Sequence, residues 1–335
     1  VLEHQLLEKN QLFTKNQAVA EAERCLFCFD PPCVKACPTE IDIPNFIKKI
    51  ASGDSRSAAV TILSANILGE SCARACPVEV LCAGSCVYNL QNEPAIKIGR
   101  LQRFATNLAM KESALSLLGP KKAPTGKKIA LVGAGPASLA AASLLALEGH
   151  EPIIFEKNSF AGGLNANGIA GYKFDHASSQ REVDWLLGLG ATLKLNTEVV
   201  ASEPKPGQIS VDDLKKFDAI FLGLGLGGDK KLFSHAKNMI GACELIDKIK
   251  TSPGFSLEGI NSCHIIGGGN TAIDVAHQLK LLGVDEVTLV YRSERKKMSA
   301  YAHELDAALA TGVSLKTNAS LERTVEEHGK ITGFY

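Results

Sequence analysis

The chain has 335 residues, enough for two or three domains, and its 45% hydrophobic and 21% charged residues are typical of a globular protein with a sizeable core. Its 36 basic residues balance 36 acidic ones, so no basic excess indicates binding to nucleic acid or to an anionic membrane. No apolar run reaches the roughly 18 residues that a membrane-spanning helix needs.

The two ends of the sequence carry no start or targeting signal. The first residues, VLEHQLLEKN, contain neither an initiator Met nor the apolar core of a secretion signal. The last residues, GKITGFY, stop on a predicted strand. We therefore expect the sequence to be incomplete at both ends.

The first 118 residues have the pattern of a helical domain with short loops. In its last helix, Ile98, Leu101, Phe104 and Leu108 fall on one face at helical spacing. The predicted helices cover 15–24, 44–53, 54–66 and 96–111.

Eight of the ten cysteines lie in this helical part, in two groups of four. The first group, CLFCFDPPCVKAC, is followed directly by Pro38, and the second group begins with CARACP, in which Pro77 directly follows Cys76. The remaining two cysteines are isolated in the second half of the chain, where we expect buried structural thiols. The two groups are Cys25, Cys28, Cys33 and Cys37, then Cys72, Cys76, Cys82 and Cys86, and the isolated pair is Cys243 and Cys263.

A Gly/Pro/Lys linker, GPKKAPTGKK at 119–128, marks a domain boundary, after which strands and helices alternate. Two strand–glycine turn–helix–strand units follow each other, which predicts two Rossmann-like nucleotide-binding domains with parallel sheets. The predicted organisation is therefore an α-helical domain over 1–118 followed by two α/β domains over 119–228 and 229–335.

The first glycine turn, GAGPAS, runs from Gly133 to Ser138 and fits the dinucleotide-binding pattern with Ser in the third glycine position. Glu156 ends the next strand, where an acid would meet the ribose hydroxyls. A second glycine pair, Gly162-Gly163, follows and indicates a second close backbone approach to a flavin dinucleotide. We therefore expect a dinucleotide at this turn rather than a purely structural loop.

The second glycine turn, GGGNTA, runs from Gly267 to Ala272. No acid ends its second strand; the residues there are YRSERK, from Tyr291 to Lys296. A basic residue at this place suits the 2′-phosphate of NADP, so NADP(H) is favoured, while NAD(H) and a simple solvated charge run stay open.

The eight grouped cysteines could form disulfides, bind zinc or bind iron–sulfur clusters, and the two predicted nucleotide domains help to distinguish these roles. Disulfides are disfavoured because no secretion signal is visible and the nucleotide domains indicate a cytoplasmic protein. Two four-thiolate zinc sites are possible by count. Cysteines that are followed directly by a proline are typical of ferredoxin-type iron–sulfur clusters. The one-electron chemistry of such clusters would also match a flavin that is reduced by nicotinamide.

The chain resembles the NADPH- and flavin-binding part of dihydropyrimidine dehydrogenase, from about residue 18 to the end. The resemblance lies in CLFCFDPPCVKACPTEIDI, CARACPVEVLCAGSCVYN, IKIGRLQRFATN, VGAGPASLA, EKNSFAGGL, FLGLGLGGDK and GGGNTAIDVA. The glutamate synthase small subunit shares the architecture. The five residues between Cys76 and Cys82, together with GRLQRF around Gln102, favour the pyrimidine enzyme.

The resemblance implies two [4Fe-4S] clusters with crossed ligation, an FAD and NADP(H). It makes Cys72, which spacing alone would select, a spare thiol and gives its place to Gln102. One cluster would be held by Cys25, Cys28, Cys33 and Cys86, and the other by Cys37, Cys76, Cys82 and Gln102. FAD would be contacted at Gly133, Gly135, Ala137, Ser138, Glu156, Lys157, Gly163, Leu164 and Lys173. NADP(H) would be contacted at Gly268, Gly269, Asn270, Thr271 and Arg292.

Two departures from the family pattern bear on these contacts. Lys173 replaces a family arginine, with Ala170 and Asp175 in place of its flanking prolines. Ser299 replaces a further family arginine on the NADP side, where Arg295 or Lys296 would have to substitute.

The implied function is that of an electron-input module. Electrons from NADPH would leave through FAD and the clusters to a partner flavoprotein that reduces uracil or thymine, in a hetero-oligomer. The partner's (β/α)₈ barrel would need roughly 250 residues, for which this sequence has no room. The family's C-terminal segment that completes the FAD domain is also not in the sequence.

No acid–base catalyst is expected, because hydride transfer depends mostly on stacking the two rings. A glutamate synthase small subunit, and a scaffold subunit without redox turnover, stay as alternatives.

Overall fold

The computed structural model describes residues 1–226, 228–229 and 236–335, and this part of the chain divides into two compact units. The larger unit comprises Asn10–Asn165 and Ala177–Gly225. The smaller unit comprises Val1–Lys9, Ala166–His176 and Leu226–Tyr335. Each unit therefore draws on separate stretches of the chain.

Short helices form the N-terminal part of the larger unit, and polar side chains cap four of them; at the last, the Ser113 hydroxyl accepts a hydrogen bond from the Ser116 N–H at 3.2 Å. Thr14 and Gln17 form a capping box, in which each side chain accepts a hydrogen bond from the other's backbone N–H. Asp42 and Asp54 each accept one from the backbone N–H three residues on. The helices are α1 Lys15–Glu23, α2 Pro32–Lys35, α3 Ile43–Ala51, α4 Ser55–Ala65, α5 Gly69–Ala75, α6 Ile98–Ala109 and α7 Ala114–Leu118, with 3₁₀ turns at Val78–Val80 and Val87–Gln91.

A parallel sheet forms the second part of the larger unit. The elements of this stretch in chain order are β1 Lys128–Val132, α8 Pro136–Leu147, β2 Glu151–Phe155, α9 Leu164–Asn167, α10 His176–Leu187, β3 Thr192–Lys194, β4 Glu198–Val200, β5 Gln208–Ser210, α11 Val211–Leu214 and β6 Ala219–Leu222, of which the end of α9 and the first residue of α10 belong to the smaller unit. The strand order of the main sheet is β3-β2-β1-β6, and β4 and β5 form a separate parallel pair. Strand β1 is buried along four of its five residues, as its unbroken apolar sequence predicts for a central parallel strand.

A second parallel sheet forms the smaller unit. Its elements are α12 Ala242–Thr251, β7 Ser262–Ile266, α13 Asn270–Leu281, β8 Glu286–Val290, α14 Ala302–Ala310, β9 Ser314–Lys316, β10 Thr324–Glu327 and β11 Lys330–Phe334, with 3₁₀ turns at Leu2–Gln5 and Arg295–Lys297. The strand order is β7-β8-β9, and β10 and β11 form an antiparallel hairpin. The fold is thus a helical N-terminal region followed by two α/β regions with parallel sheets, as the sequence predicts.

One continuous hydrophobic core joins the helices and the first sheet. Phe46 of α3, Leu101 of α6 and Leu131 of β1 are fully buried members of the same cluster. The linker at 119–128 therefore connects two secondary-structure patterns that share a core. The division into three domains stays a prediction from the sequence.

Two expectations about burial are wrong. Leu108, expected on the apolar face of α6, is 37% exposed, whereas Ala105 and Ala109 of that helix are buried. The isolated thiols Cys243 and Cys263 are partly exposed, because Cys243 lies in the first turn of a helix and Cys263 lies in the outer strand β7. In the described parts of the chain, no helix is both long enough and apolar enough to cross a membrane.

Candidate functional site

The first thiol set faces a single cavity in the larger unit. Cys25, Cys28, Cys33 and Cys86 all line this partly open cavity. Three of the thiols come from the short stretch between α1 and the end of α2, and the fourth comes from a distant segment. The structure therefore brings together the four residues that the resemblance assigns to one cluster.

The thiols are the side chains of this cavity that are suited to bind a metal, because the rest of the lining is mostly apolar. The lining includes the apolar side chains of Ile43, Ile47, Ile96 and Ile98, and no carboxylate or imidazole. Burial raises the pKa of the Cys25 thiol and raises that of Cys33 to about 11, so a metal centre that binds them must displace their protons. Four sulfur donors in apolar surroundings fit a thiolate-liganded iron–sulfur cluster.

A second thiol set adjoins the first. Cys37 and Cys82 lie close enough to Cys76 for their charges to act on its thiol, and Cys37 acts in the same way on Cys82. Burial raises the pKa of Cys82 to about 12, whereas a hydrogen bond from Cys72 lowers the pKa of Cys76. Cys82 also lies within electrostatic range of Cys33 in the first set. The structure thus groups these three thiols in the way that crossed ligation requires.

Both candidates for the eighth ligand lie beside this second set. Cys72 is in helix α5, and its Sγ lies 3.0 Å from the Sγ of Cys76. Gln102 is buried on α6; its Nε2 donates to the carbonyl oxygen of Gly69 at 2.9 Å, and its amide also contacts the Cys72 sulfur. All ten cysteines are free thiols. Among the described residues, no three His, Cys, Asp or Glu side chains are arranged around a point that suits one metal ion.

The first glycine turn is shaped for close backbone approach. Gly133 has φ +87°, and a side chain there would bring its Cβ within 2.5 Å of the Gly223 carbonyl oxygen. Nothing lies within 4 Å of a Cβ built on Gly135, which leaves open space at the start of α8. Ser138 is fully buried against Gly223, and its hydroxyl has no partner among the described residues. An open glycine at a helix N-terminus is the cradle that a pyrophosphate needs.

The second glycine pair packs directly on this turn. Gly163 has φ +52°, and a Cβ there would lie 2.9 Å from the Cα of Gly135. The backbone N–H of Gly162 donates to the Ala134 carbonyl at 2.8 Å. The Glu156 carboxylate accepts from the Ala134 N–H at 2.7 Å and from the Asn158 N–H at 2.9 Å. Of the other predicted FAD contacts, Ala137, Lys157 and Leu164 are exposed.

Lys173 belongs to the smaller unit, whereas the glycine turn at Gly133 belongs to the larger one. Its ammonium pairs with Asp274 of α13 at 2.7 Å and with Glu304 of α14 at 2.5 Å. The Tyr172 hydroxyl donates to the same Asp274 at 2.8 Å. The structure gives this cation two carboxylate partners that sequence reasoning missed, since nothing in the sequence pairs α13 and α14 with residue 173.

The second glycine turn is partly covered by the segment that follows β8. The Ala300 N–H donates to the Gly268 carbonyl at 3.0 Å, and the Tyr301 N–H donates to Oδ1 of Asn270 at 2.9 Å. The ring of Tyr291 packs on Gly268, where a Cβ would lie 2.5 Å from it. Gly269 and Asn270 are half-buried and Thr271 is exposed at the start of α13.

The basic residues after β8 differ in their pairing. Arg295 forms an ion pair with Asp306, whereas Lys297 pairs with Glu294 at 3.3 Å. Arg292 and Lys296 are both exposed, and neither has a hydrogen bond or ion pair with any described residue. These two cations are therefore the ones available to a phosphate.

A buried charge network anchors helix α5, which carries Cys72 and leads to Cys76. Glu70 is fully buried and pairs with Arg74 at 2.7 Å and with Arg181 at 2.9 Å. The Thr106 hydroxyl also donates to Glu70 at 2.7 Å. The sequence shows the helical spacing of Glu70 and Arg74, but it gives no sign that both are buried.

Glu182 of α10 caps the start of the same helix. Its Oε1 accepts from the backbone N–H groups of Glu70 at 3.1 Å and Ser71 at 3.0 Å, and its Oε2 accepts from the Ser71 hydroxyl. Asn165, in the segment after Gly163, donates to the Ser71 hydroxyl at 3.0 Å. Burial raises the pKa of Glu182 to about 7. Hydrogen bonds thus connect the glycine-pair segment with the helix of the second thiol set.

Two family models match the chain. Residues 3–114 match a model described as dihydropyrimidine dehydrogenase domain II, 4Fe-4S cluster, and residues 127–333 match the pyridine nucleotide-disulphide oxidoreductase model. Gly227 and Lys230, in the motif FLGLGLGGDK, lie outside the described residues.

Curated relatives cover almost the whole chain. The NAD-dependent dihydropyrimidine dehydrogenase subunit PreT of Escherichia coli (strain K12) is 36% identical over 311 residues, which span 92% of this chain and 73% of PreT. The glutamate synthase [NADPH] small chain of the same organism is 33% identical, over 98% of this chain and 71% of its own. Among solved structures, a 2-naphthoyl-CoA reductase complex is 19% identical with a TM-score of 0.50, over 88% of this chain and 39% of that one, which shows a shared fold.

The thiol sets, the two glycine turns and the two family models therefore point to the same class of protein. The chain belongs to the pyridine nucleotide-disulphide oxidoreductase family, in the branch that carries a dihydropyrimidine dehydrogenase-type 4Fe-4S domain, and it is an NAD(P)H-dependent iron–sulfur flavoprotein oxidoreductase.

Proposed function

We propose that the chain is the electron-input subunit of a pyrimidine-reducing enzyme, taking electrons from NADPH and passing them to a separate flavoprotein chain that reduces uracil or thymine. When bound, FAD accepts a hydride and the iron–sulfur clusters carry single electrons. The observation that carries the proposal is the continuous core that runs from the helices to the first sheet of the larger unit, since it holds the first glycine turn and both thiol sets together. The electron-accepting and electron-carrying groups would therefore be held within one compact unit.

The residues of this chain would bind and orient these groups. The cavity lined by Cys25, Cys28, Cys33 and Cys86 would hold one [4Fe-4S] cluster. The adjoining set with Cys37, Cys76, Cys82 and Gln102 would hold the other. Gly133, Gly135 and Gly163 would hold the FAD pyrophosphate, for which the open space at Gly135 provides room. The FAD roles of Lys173 and of the exposed Ala137, Lys157 and Leu164 stay predictions, as does a cytoplasmic location.

The pyrimidine acceptor and the partner chain are supported by the similarity to PreT, whose printed name makes it a subunit of a dihydropyrimidine dehydrogenase. Gln102 beside the second thiol set supports the same branch. A glutamate synthase small subunit is the second candidate, because similarity to that small chain extends over 98% of the sequence.

An anaerobic electron-delivery assay tests the acceptor. The purified full-length protein is reduced with NADPH and offered uracil together with the partner subunit of the Escherichia coli pyrimidine enzyme, with PreT reduced by NADH as the positive control. We expect NADPH to bleach the flavin and cluster absorbance and uracil to restore it only when the partner is present. Bleaching that uracil leaves unchanged, but that the large chain of glutamate synthase with its substrates reverses, would favour the second candidate.

We further propose that Arg292 and Lys296 select NADPH by binding its 2′-phosphate, since both are exposed and unpaired among the described residues. The names of the relatives differ on this point, because PreT is named NAD-dependent and the glutamate synthase chain is named for NADPH.

Replacing Arg292 by Gln is expected to raise the KM for NADPH by roughly 10- to 100-fold, since a hydrogen bond to a charged group contributes about 1.5–3 kcal/mol. The KM for NADH should stay unchanged, because NADH has no phosphate there. Steady-state reduction of a dye with each nucleotide measures both constants. Lys297→Gln is the matched control, as Lys297 lies in the same segment and pairs with Glu294. An equal rise in the KM for NADPH and in the KM for NADH would contradict the proposal that Arg292 binds the 2′-phosphate.

A further inference from the structure

Cys72 is the thiol that the proposed ligand sets leave without a role. We propose that Cys72 donates a hydrogen bond to the sulfur of Cys76 and thereby raises the reduction potential of the second cluster. It would act as a positioning residue for that cluster and not as an iron ligand. This inference rests on the proposed function, in which Cys76 binds iron.

The helix geometry holds the two sulfurs together. Cys72 lies in α5 and Cys76 directly follows that helix, with its backbone N–H donating to the Cys72 carbonyl at 3.0 Å. This turn of helix sets the two side chains side by side, with 3.0 Å between their Sγ atoms. The contact is therefore a product of local backbone structure, which the Glu70 network and the Glu182 cap anchor at the other end of the helix.

The distance between the sulfurs argues against shared ligation. Two thiolates on one tetrahedral metal with bonds of about 2.3 Å would lie about 3.8 Å apart. Two ligands of one cubane cluster bind different irons and lie farther apart still. A separation of 3.0 Å fits a hydrogen-bonded pair better than it fits two ligands of one centre.

The chemistry decides which sulfur donates. An iron-bound thiolate carries no proton, so in the loaded protein only the Cys72 thiol has a proton to donate. The Gln102 amide also contacts the Cys72 sulfur, so Cys72 touches two members of the second set, Gln102 and Cys76. Reduction adds negative charge to a cluster and its ligand sulfurs, and a hydrogen bond to one of those sulfurs stabilises that charge.

Two substitutions test the role of Cys72, Cys72→Ala and Cys72→Ser, in the full chain prepared anaerobically. Iron and sulfide are counted, and both cluster potentials are measured by redox titration followed by electron paramagnetic resonance. We expect both variants to keep about eight irons per chain. The potential of one cluster should fall in the alanine variant and recover at least partly in the serine variant, whose hydroxyl can still donate. The other cluster should be unchanged.

Cys263→Ala is the matched control, since this partly exposed thiol lies in the smaller unit. Loss of about four irons in both Cys72 variants would make Cys72 a ligand and overturn the inference. Unchanged potentials of both clusters in the alanine variant would also overturn it. A wild-type protein that binds no clusters would instead contradict the proposed function, so the two failures are distinguishable.

Discussion

Cys33→Ala and Cys82→Ala are each expected to remove about four irons per chain, and the double variant about eight. Cys33 lines the first cavity, and Cys82 is the buried member of the second thiol set. Losing one thiolate opens a coordination position on one cluster, while the other set keeps its own ligands. Iron and sulfide analysis after anaerobic reconstitution measures the loss.

The additivity of the two losses is the decisive feature of this experiment. Cys82 lies within electrostatic range of Cys33, so the two sets adjoin, and a single shared centre would be an alternative arrangement. In that case either single variant would lose as much iron as the double variant. Cys243→Ala serves as the control, because this thiol lies in the smaller unit, whereas both sets lie in the larger one.

Glu182→Gln is expected to weaken the dependence of thermal stability on pH. Burial raises the pKa of Glu182 from 4.5 to about 7, so ionisation costs the folded state about 3 kcal/mol in all. Because the pKa is higher in the folded state, the contribution of Glu182 to the free energy of unfolding is fully present below pH 4.5 and is lost as the pH rises through about 7. From about pH 5.5 to about pH 8 the wild-type protein should lose about 2 kcal/mol, or roughly 4–8 °C in melting midpoint.

The glutamine variant removes the ionisable carboxyl group of residue 182 but can keep its hydrogen bonds. Its amide oxygen can still accept from the backbone N–H groups of Glu70 and Ser71, and its amide nitrogen can donate to the Ser71 hydroxyl. Melting followed by cluster absorbance under anaerobic conditions gives the midpoints. Glu148→Gln is the control, because Glu148 is exposed and pairs with Lys122 at 2.5 Å. If the glutamine variant keeps the full pH dependence, another group is responsible for it.

The order and type of most elements followed from sequence patterns with a local cause. The four helices expected in the first 118 residues are present, with caps at Thr14, Asp42 and Asp54. The apolar run before the first glycine turn became β1, since a buried parallel strand needs an unbroken apolar stretch. The more polar run before the second glycine turn became the outer strand β7. Such features depend on residues that are neighbours in the chain.

The contacts that sequence reasoning missed join residues far apart in the chain. Glu70 with Arg181, Ser71 with Glu182, and Lys173 with Glu304 are each separated by more than 100 residues. No local pattern marks such partners, because a charged residue on a helix is usually solvated and its burial depends on what packs against it.

The sequence by itself determined the chemistry of the protein: eight thiols in two groups, two nucleotide turns and the acid that follows the first. Spacing along the chain carries that information because the ligands of one loop and the glycines of one turn act locally. Spacing alone left the grouping of the thiols open and the family resemblance only implied it; the tertiary structure is what shows Cys86 beside Cys25, Cys28 and Cys33 around one cavity. It also placed Cys72 against Cys76 and left Arg292 unpaired among the described residues. Those outcomes depend on distances between segments that only the packed core brings together.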